Sequence, residues 1–519
     1  MRRLSLLALA AGLLLTAVPA AGQLPPLTVP KRLARFTLAG SFVTAESRWL
    51  AGQRQPLAQD FVQDSLGSAF WSALQPVDDL LRQITGLPGA RLHLGSTTAR
   101  HQVTVGTGGI GLAYGLTSRI TLTGLIPITR VVVRSSIAQS AEGARAGFNP
   151  ADPVFGDGFG LSTDALFFGS FDRALAGLDT ALTRGDYDGN PGQKTLAEQT
   201  LAAGRSLRGN LFSLLLGPGT ASPFLPTKTS AEGAALLGRI TDLQTILRGL
   251  NIDNFSEAPA LPGAPLDDAG FKKFATDPEG RVAGSFAAPT IVALGDIELG
   301  AAVALVTGMT ARGTGLDLVG QATVRLPTSQ LDSPSRFFDL GTGDRQPDVE
   351  LGLTADAGAG WFGARFQASY NLQMAFDLNR RIARPAEVMP YAGTLAAVTR
   401  NPGDVITLSV APFIRLGPGF GLVFGLSHRR KGEDAVTLLA GQEEIPGAPP
   451  GLLAEESARN WTTAMAMLSV ASPLKTVNGV TKLPLDGGVA VRRVVNGSGG
   501  RTLAETAVQT WIRLYFRFP

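Results

Sequence analysis

Apolar and polar side chains alternate along Phe362–Phe376, where every second residue is apolar and most residues between them are polar. Alternate side chains of a β-strand point to opposite faces. In a soluble sheet the apolar face would pack on a core, whereas in a membrane barrel it faces lipid and the polar face lines the lumen. The alternation therefore predicts an amphipathic strand.

The same period of two recurs and predicts about twelve strands. They lie near 34–46, 98–114, 118–134, 291–306, 314–326, 347–357, 361–377, 404–416, 419–430, 460–472, 484–495 and 504–518. An even number of strands suits a closed bacterial barrel. The predicted fold class is all-β membrane: a closed antiparallel up-and-down transmembrane β-barrel with a mostly helical extracellular insert.

The connections between these strands alternate in length. Tight, Gly-rich links lie at 115–118, 308–313, 358–360 and 417–419, and long ones lie at about 47–97, 135–290, 327–346, 378–403 and 431–459. Bacterial barrels have short periplasmic turns and longer external loops. With the N-terminus in the periplasm, every long loop would lie outside the cell.

The connection 135–290 is too long to lack structure of its own. Its apolar residues follow helical spacing at about 162–183, 194–215 and 230–250, and 57–85 is a further helical candidate within the loop 47–97. These helices must bury their apolar faces, either in a cap above the mouth or in a plug inside it. The chain thus divides into a signal peptide at 1–22, first barrel strands at 23–134, the insert at 135–290 and remaining strands at 291–519.

The first residues have the features of an export signal. Arg2 and Arg3 precede the apolar run Leu4–Val18, and small residues at 20–22 offer a cleavage site after Gly22. No later segment has the ~20 continuous apolar residues that a spanning helix needs. We therefore expect an exported chain located in the bacterial outer membrane.

Composition limits the chemistry. Charged residues make up 17% of the chain, 63 residues are glycine and none is cysteine. The lack of cysteine excludes disulfides, thiolate catalysis and Cys-ligated zinc. The net charge of +4 includes the two leader arginines, so the sequence lacks the basic footprint of a nucleic-acid-binding protein. No cofactor is predicted.

The last strand, Thr510–Pro519, reads TWIRLYFRFP. It resembles the C-terminal assembly signal of outer-membrane barrels, except that Pro519 follows the final Phe518. The resemblance implies the barrel assembly machinery as a partner, with outer-membrane lipid around the wall.

Two further segments resemble one protein family. Gly109–Ile128 reads GIGLAYGLTSRITLTGLIPI, and Gly295–Leu305 reads GDIELGAAVAL. Both resemble a transporter-like outer-membrane family described as components of the MetA pathway of phenol degradation. That family is distantly similar to long-chain fatty-acid channels, which implies uptake of hydrophobic compounds. The resemblance covers the strands but not the insert, and it implies no catalytic residues.

The inward face of the alternation carries charged and amide side chains, which are the candidate lumen lining. They are Asp296, Glu298, Asp317, Arg325, Glu350, Asp356, Arg365, Gln367, Asn371, Arg415, Arg429, Arg513 and Arg517. Most acids lie on the fourth to sixth strands and most arginines on later ones, so opposed walls would set a transverse field that orients solutes and selects ions. Glu350 and Arg365 are expected mid-barrel on adjacent strands. The alternative is that these charges pair and fill a closed barrel.

Other candidate chemistry is sparse. Asp186, Asp188 and Asn190 offer oxygens at alternate positions, as a calcium loop does, but a plain Asp/Asn/Gly turn explains them better, because Pro191 replaces the glycine that such a loop needs. His428 invites comparison with outer-membrane phospholipases, yet its neighbour Ser427 must point to the opposite face. We therefore predict no enzyme. Trp461 is expected in the ring of aromatic residues at the membrane interface.

The predicted function is passive diffusion of small hydrophobic or amphipathic molecules through the barrel, because gradients can drive such flux without a cofactor. The alternative is a non-transporting barrel whose external loops serve adhesion or partner binding. A lumen filled by paired charges under a well-packed external domain would favour the alternative.

Overall fold

The computed structural model describes residues 28–71, 74–217, 222–275, 289–309, 314–336, 338–384, 394–417, 419–472, 475–477, 480–482 and 485–517. The predicted leader at 1–22 and its cleavage site lie outside these residues.

Twelve long antiparallel strands form the barrel. They are β1 (Leu33–Ala45), β2 (Ser96–Gly115), β3 (Ile120–Ser140), β4 (Ile297–Thr307), β5 (Gly315–Leu326), β6 (Asp348–Ala359), β7 (Phe362–Gln373), β8 (Val405–Gly417), β9 (Phe420–Lys431), β10 (Arg459–Ser472), β11 (Leu485–Gly499) and β12 (Thr506–Arg517). Each pairs with the next along the chain, and β12 pairs with β1, so the sheet closes. The predicted twelve-stranded up-and-down barrel is confirmed.

The outer surface of the barrel is a belt of exposed apolar side chains. Among them are Leu38, Ile110, Leu299, Leu351, Phe366, Leu408, Phe424, Leu468, Val491 and Ile512, which lie on ten different strands and are all at least 44% exposed. Leaving one such side chain in water costs roughly 1.5–3 kcal/mol, so the belt favours apolar surroundings over water. None of the described helices is long and apolar enough to cross a membrane.

The described residues include five helices: α1 (Gln75–Thr85), α2 (Gly160–Arg184), α3 (Pro191–Leu215), α4 (Ala231–Gly249) and α5 (Asp268–Ala275). Local sequence explains their ends. The Asn190 side chain accepts from the backbone N–H of Gln193 to cap α3, and Ser230 caps α4 in the same way. Gly185, with φ +82°, ends α2. The three helical stretches expected within the insert are present.

The helix expected at 57–85 is wrong over most of its first half. Residues 57–71 contain one short helical turn, Gln59–Phe61. The helix α1 begins later, with Pro76 in its first turn. The backbone N–H groups of Gln63 and Leu66 instead donate to carbonyls at the start of β2 and just before it. This tertiary pairing overrides the helical spacing of the sequence. The short helix α5 was not predicted, because eight residues carry little periodicity.

Shorter strands lie within the connections between the barrel strands. They are Ser47–Leu50, Gln53–Pro56, Ala146–Phe148, Phe224–Pro226, Ile291–Leu294, Phe376–Arg381, Leu395–Asn401, Ala435–Leu438, Lys475–Val477, Val480–Lys482 and Thr502–Leu503, with a helical turn at Pro450–Leu453. Ile291–Leu294 continues the pairing of β4 with β3 beyond a break at Gly295 and Asp296.

The main hydrophobic core joins the helices to one side of the barrel mouth. Strands β2 and β3 are 20 and 21 residues long, longer than the other ten strands, and project beyond their neighbours. Val103 and Val133 on their inner faces are buried in the same cluster as Phe167 and Leu236 of the helices. The insert therefore packs against the inner faces of β2 and β3.

Two other segments complete the cover. Phe61 and Phe338 contact each other and His101 on the inner face of β2, with ring centroids 4.0–5.5 Å apart. On the other side, the loops around Leu378, Val398 and Val436 form a separate small core. Between these two apolar covers the lumen is polar.

Candidate functional site in the barrel lumen

A cavity lies inside the lumen near the long-loop ends of the strands. Its empty volume, including the part open to solvent, is ≈ 1080 Å³, and its walls come from β3 to β10 and the loops above them. The charged side chains that converge on its lining make this cavity the candidate site.

One wall of the cavity is acidic and is built around Arg325. The register places Glu298 of β4 and Asp348 of β6 directly beside Arg325 of β5. Its guanidinium donates to the carboxylates of Glu298, Asp348 and Glu350 at 3.0, 2.9 and 2.6 Å. Three carboxylates on one cation leave this wall with excess negative charge.

Two more carboxylates lie on this side, Asp296 in the break before β4 and Asp344 in the loop between β5 and β6. Asp296 accepts from the backbone N–H of Ser329 at 3.0 Å. Asp344 lines the same cavity. Burial, together with the neighbouring Asp296 carboxyl, raises the pKa of Asp344 above its ordinary value.

The facing wall is cationic. Arg429 and Lys431 of β9 and Arg459 of β10 line it, with Arg400 from the loop above. Arg400 donates to Asp434 at 2.6 Å, and Lys431 donates to the other oxygen of the same carboxylate. Although burial opposes ionisation, these two cations hold the pKa of Asp434 below its ordinary value.

Trp461 lies between two arginines of this wall. Its ring is 5.3 Å from the Arg459 guanidinium and 6.0 Å from that of Arg429, and only 5% of the residue is exposed. The expected place of Trp461 in the interfacial ring of aromatics is therefore wrong. Its register partner is the inward-facing Arg429, so both side chains point into the lumen.

Nearer the short turns, the lumen is filled. Arg365 donates twice to Asp356, both at 2.6 Å, and Tyr515 donates to Asp486 at 2.7 Å. Phe413 and Met467 belong to an apolar cluster in the same part of the barrel, with Phe413 paired in register with Gly363 of β7. This section matches the expectation of side-chain filling.

Glu350 and Arg365 do not meet. Glu350 pairs in register with Asn371, whereas Arg365 pairs with Asp356, six residues further along β6. At about 3.3 Å per residue the two side chains are roughly 20 Å apart along the strands. Glu350 belongs to the cavity and Arg365 to the filled section, so their expected shared mid-barrel position is wrong.

The remaining predicted lumen residues have varied surroundings. Asp317 accepts from the backbone N–H groups of Gly308 and Met309 and so holds a short turn. Asn371 donates to Asp348 at 3.3 Å, and Gln367 is half-buried on the same face. Arg415 donates to the carbonyl of Gly360. The others lie near β12: Arg513 is 3.4 Å from Asp486, and Arg517 is exposed at the strand end.

Sequence reasoning missed Arg400, Lys431, Asp434, Asp344 and Arg459. Lys431 could have been found, because it is two residues beyond Arg429 on the same face. Arg400, Asp434 and Asp344 lie in loops, where no periodicity marks a face.

The calcium candidates have protein partners. Asp186 pairs with Arg184 at 2.8 Å, Asp188 pairs with Lys194 at 2.8 Å, and Asn190 caps α3. Across the described ranges, no three His, Asp or Glu side chains are grouped to hold a metal ion. His428 contacts the hydroxyl of Thr462 at 3.1 Å on the exposed side of the wall.

Comparison with known proteins gives a likeness in fold only. No family model and no curated protein matches the chain. An outer-membrane channel from Pseudomonas putida F1 has 9% identity and a TM-score of 0.41, covering 95% of this chain and 99% of that one. The translocator domain of autotransporter NalP from Neisseria meningitidis has 7% identity and a TM-score of 0.31, covering 94% of this chain and 90% of that one. The Pseudomonas putida toluene transporter TodX has 9% identity and a TM-score of 0.27, covering 93% of this chain and 89% of that one. Likeness at this level does not indicate which solute this chain handles.

Proposed function

We propose that this chain is a bacterial outer-membrane barrel that lets small amphipathic or hydrophobic molecules cross by passive diffusion. The observation that carries the proposal is the charged cavity inside the lumen, enclosed between two apolar covers. A barrel that served only as a membrane anchor would not need opposed acidic and basic walls, because paired charges on neighbouring strands would fill it.

The opposed walls have a physical effect on a solute. The acidic wall around Arg325 carries negative charge and the cationic wall around Trp461 carries positive charge, so the two set an electric field across the lumen. The low dielectric constant of the barrel wall strengthens this field. A molecule with one polar end would be oriented by this field as it passes. For a solute to pass, the segment around Phe338 at the mouth must move aside. The side chains that fill the barrel around Arg365 must move aside as well.

The second candidate is a non-transporting barrel with a recognition function in its loops. The bidentate Arg365–Asp356 pair and the apolar cluster around Phe413 favour it, since both fill the interior. Under either function we propose outer-membrane lipid around the apolar belt and recognition of β12 by the barrel assembly machinery. Phe518 and Pro519 of that signal lie outside the described residues.

Single-channel recording in planar bilayers tests the proposal. The refolded full chain is compared with Arg365→Ala, which opens the filled section, and with Arg430→Ala, which removes an exposed arginine from the outer face of β9. We expect discrete conductance that increases in Arg365→Ala and is unchanged in Arg430→Ala. Silence in all three folded proteins would contradict passage and favour the non-transporting barrel.

A further inference from the structure

We propose that the lumen cavity binds a small organic anion, with its carboxylate on Arg459 and Arg429 and its planar apolar body against Trp461. This inference rests on the proposed function and names the class of solute.

The two walls differ in how fully their polar atoms are used. On the acidic wall, Glu298, Asp348 and Glu350 each accept from Arg325. On the cationic wall, the single carboxylate of Asp434 pairs with both Arg400 and Lys431. Arg459 donates from Nη1 to the carbonyl of Arg501 at 3.0 Å, and its Nε is buried without a partner. At Arg459, therefore, one guanidinium N–H has no protein partner.

Arginine suits this role because its planar fork matches a carboxylate in two parallel hydrogen bonds. Trp461 adds a buried aromatic surface within 5.3 Å of the same guanidinium. A carboxylate at Arg459 would place the planar body of the solute along that ring. A neutral hydrocarbon would leave the buried Nε as unsatisfied as it is without ligand, whereas a carboxylate that reached it would add a charge-assisted hydrogen bond.

A second cavity, with an empty volume of ≈ 640 Å³, adjoins the first and shares Arg400, Lys431 and Arg459 with it. Its other two cations have carboxylate partners, since Arg380 pairs with Asp332 and Arg501 pairs with Glu456. The three shared cations therefore lie at the junction of the two cavities, where an anion can meet them from either side.

Equilibrium binding to the refolded full chain in detergent micelles tests the site without requiring flux. Three probes of similar size and different charge are titrated by calorimetry: benzoate, benzamide and benzylamine. We expect benzoate to bind at least tenfold more tightly than either of the others. Arg459→Gln should weaken benzoate about tenfold, while Arg430→Gln on the outer face of β9 should have no effect. If Arg459→Gln does not fold, Arg429→Gln takes its place.

Equal binding of benzamide or benzylamine, no binding of benzoate, or unchanged benzoate affinity in both lumen variants would overturn the inference. Single-channel conductance, measured beside benzoate binding, separates it from the proposed function. Conductance without benzoate binding contradicts the anion site and leaves passage intact. Benzoate binding without conductance contradicts passage and leaves the site intact.

Discussion

Replacing Asp356 by asparagine should destabilise the barrel strongly. Asp356 and Arg365 form a bidentate pair whose side chains are 6% and 3% exposed. The substitution leaves a buried guanidinium without its counter-charge. Breaking a buried pair on one side costs about 3–5 kcal/mol, and asparagine keeps one acceptor oxygen, so we expect about 3 kcal/mol. This lowers the folding equilibrium constant roughly a hundredfold.

Urea titration of the refolded chain in micelles measures this change, with tryptophan fluorescence and gel mobility as two probes of unfolding. Asp186→Asn is the matched control, because Asp186 pairs with Arg184 on the surface and such pairs contribute at most about 1 kcal/mol. The double variant Asp356→Leu, Arg365→Met removes both charges and should recover most of the loss. A loss under about 1 kcal/mol in Asp356→Asn, or a double variant no more stable than it, would refute the reasoning.

Two further predictions concern the cover. Burial raises the pKa of Asp164 in α2 to about 6, although the backbone N–H of Ala260 donates to it at 2.7 Å. Because the pKa of Asp164 is higher in the folded protein than in the unfolded chain, the protonated carboxyl stabilises the fold relative to the ionised one. This contribution to the free energy of unfolding is complete below pH ~4 and is lost as pH rises through 6, by about 3 kcal/mol. Asp164→Asn should flatten the pH dependence of insert unfolding, measured by hydrogen exchange; an unchanged profile would contradict the assignment. Phe338→Ala removes ring contacts to Phe61 and His101 and should make proteolysis within 327–347 at least tenfold faster. Equal cleavage rates would show that this ring does not hold the segment.

The sequence predicted the barrel well because the membrane imposes a local rule. A strand such as Phe362–Gln373 contacts lipid on one face, so every second residue must be apolar wherever the strand crosses. This rule needs no knowledge of partners, and it identified even the strands with the least regular alternation, β1, β10 and β11.

The site was harder to predict because it depends on register and on loops. Period two places Arg325 and Glu350 on the inward face but does not place them side by side; the pairing of β5 with β6 does. Asp434 and Arg400 come from loops of different strand pairs and meet only in three dimensions. Trp461 was misplaced because aromatics are common at the interface, and its place in the lumen follows from its register pairing with Arg429.

The closed order of the strands has a consequence for assembly. Most pairings join strands that are neighbours in sequence and can zip together as hairpins as the chain is delivered. The pairing of β1 with β12 joins Leu33 to Arg517, which are 517 − 33 = 484 residues apart. Until β12 arrives, the free edges of β1 and β11 expose unpaired backbone that can capture strands of other chains. Completion of the barrel must therefore wait for the last strand, and any interruption of synthesis before β12 should leave an aggregation-prone open sheet.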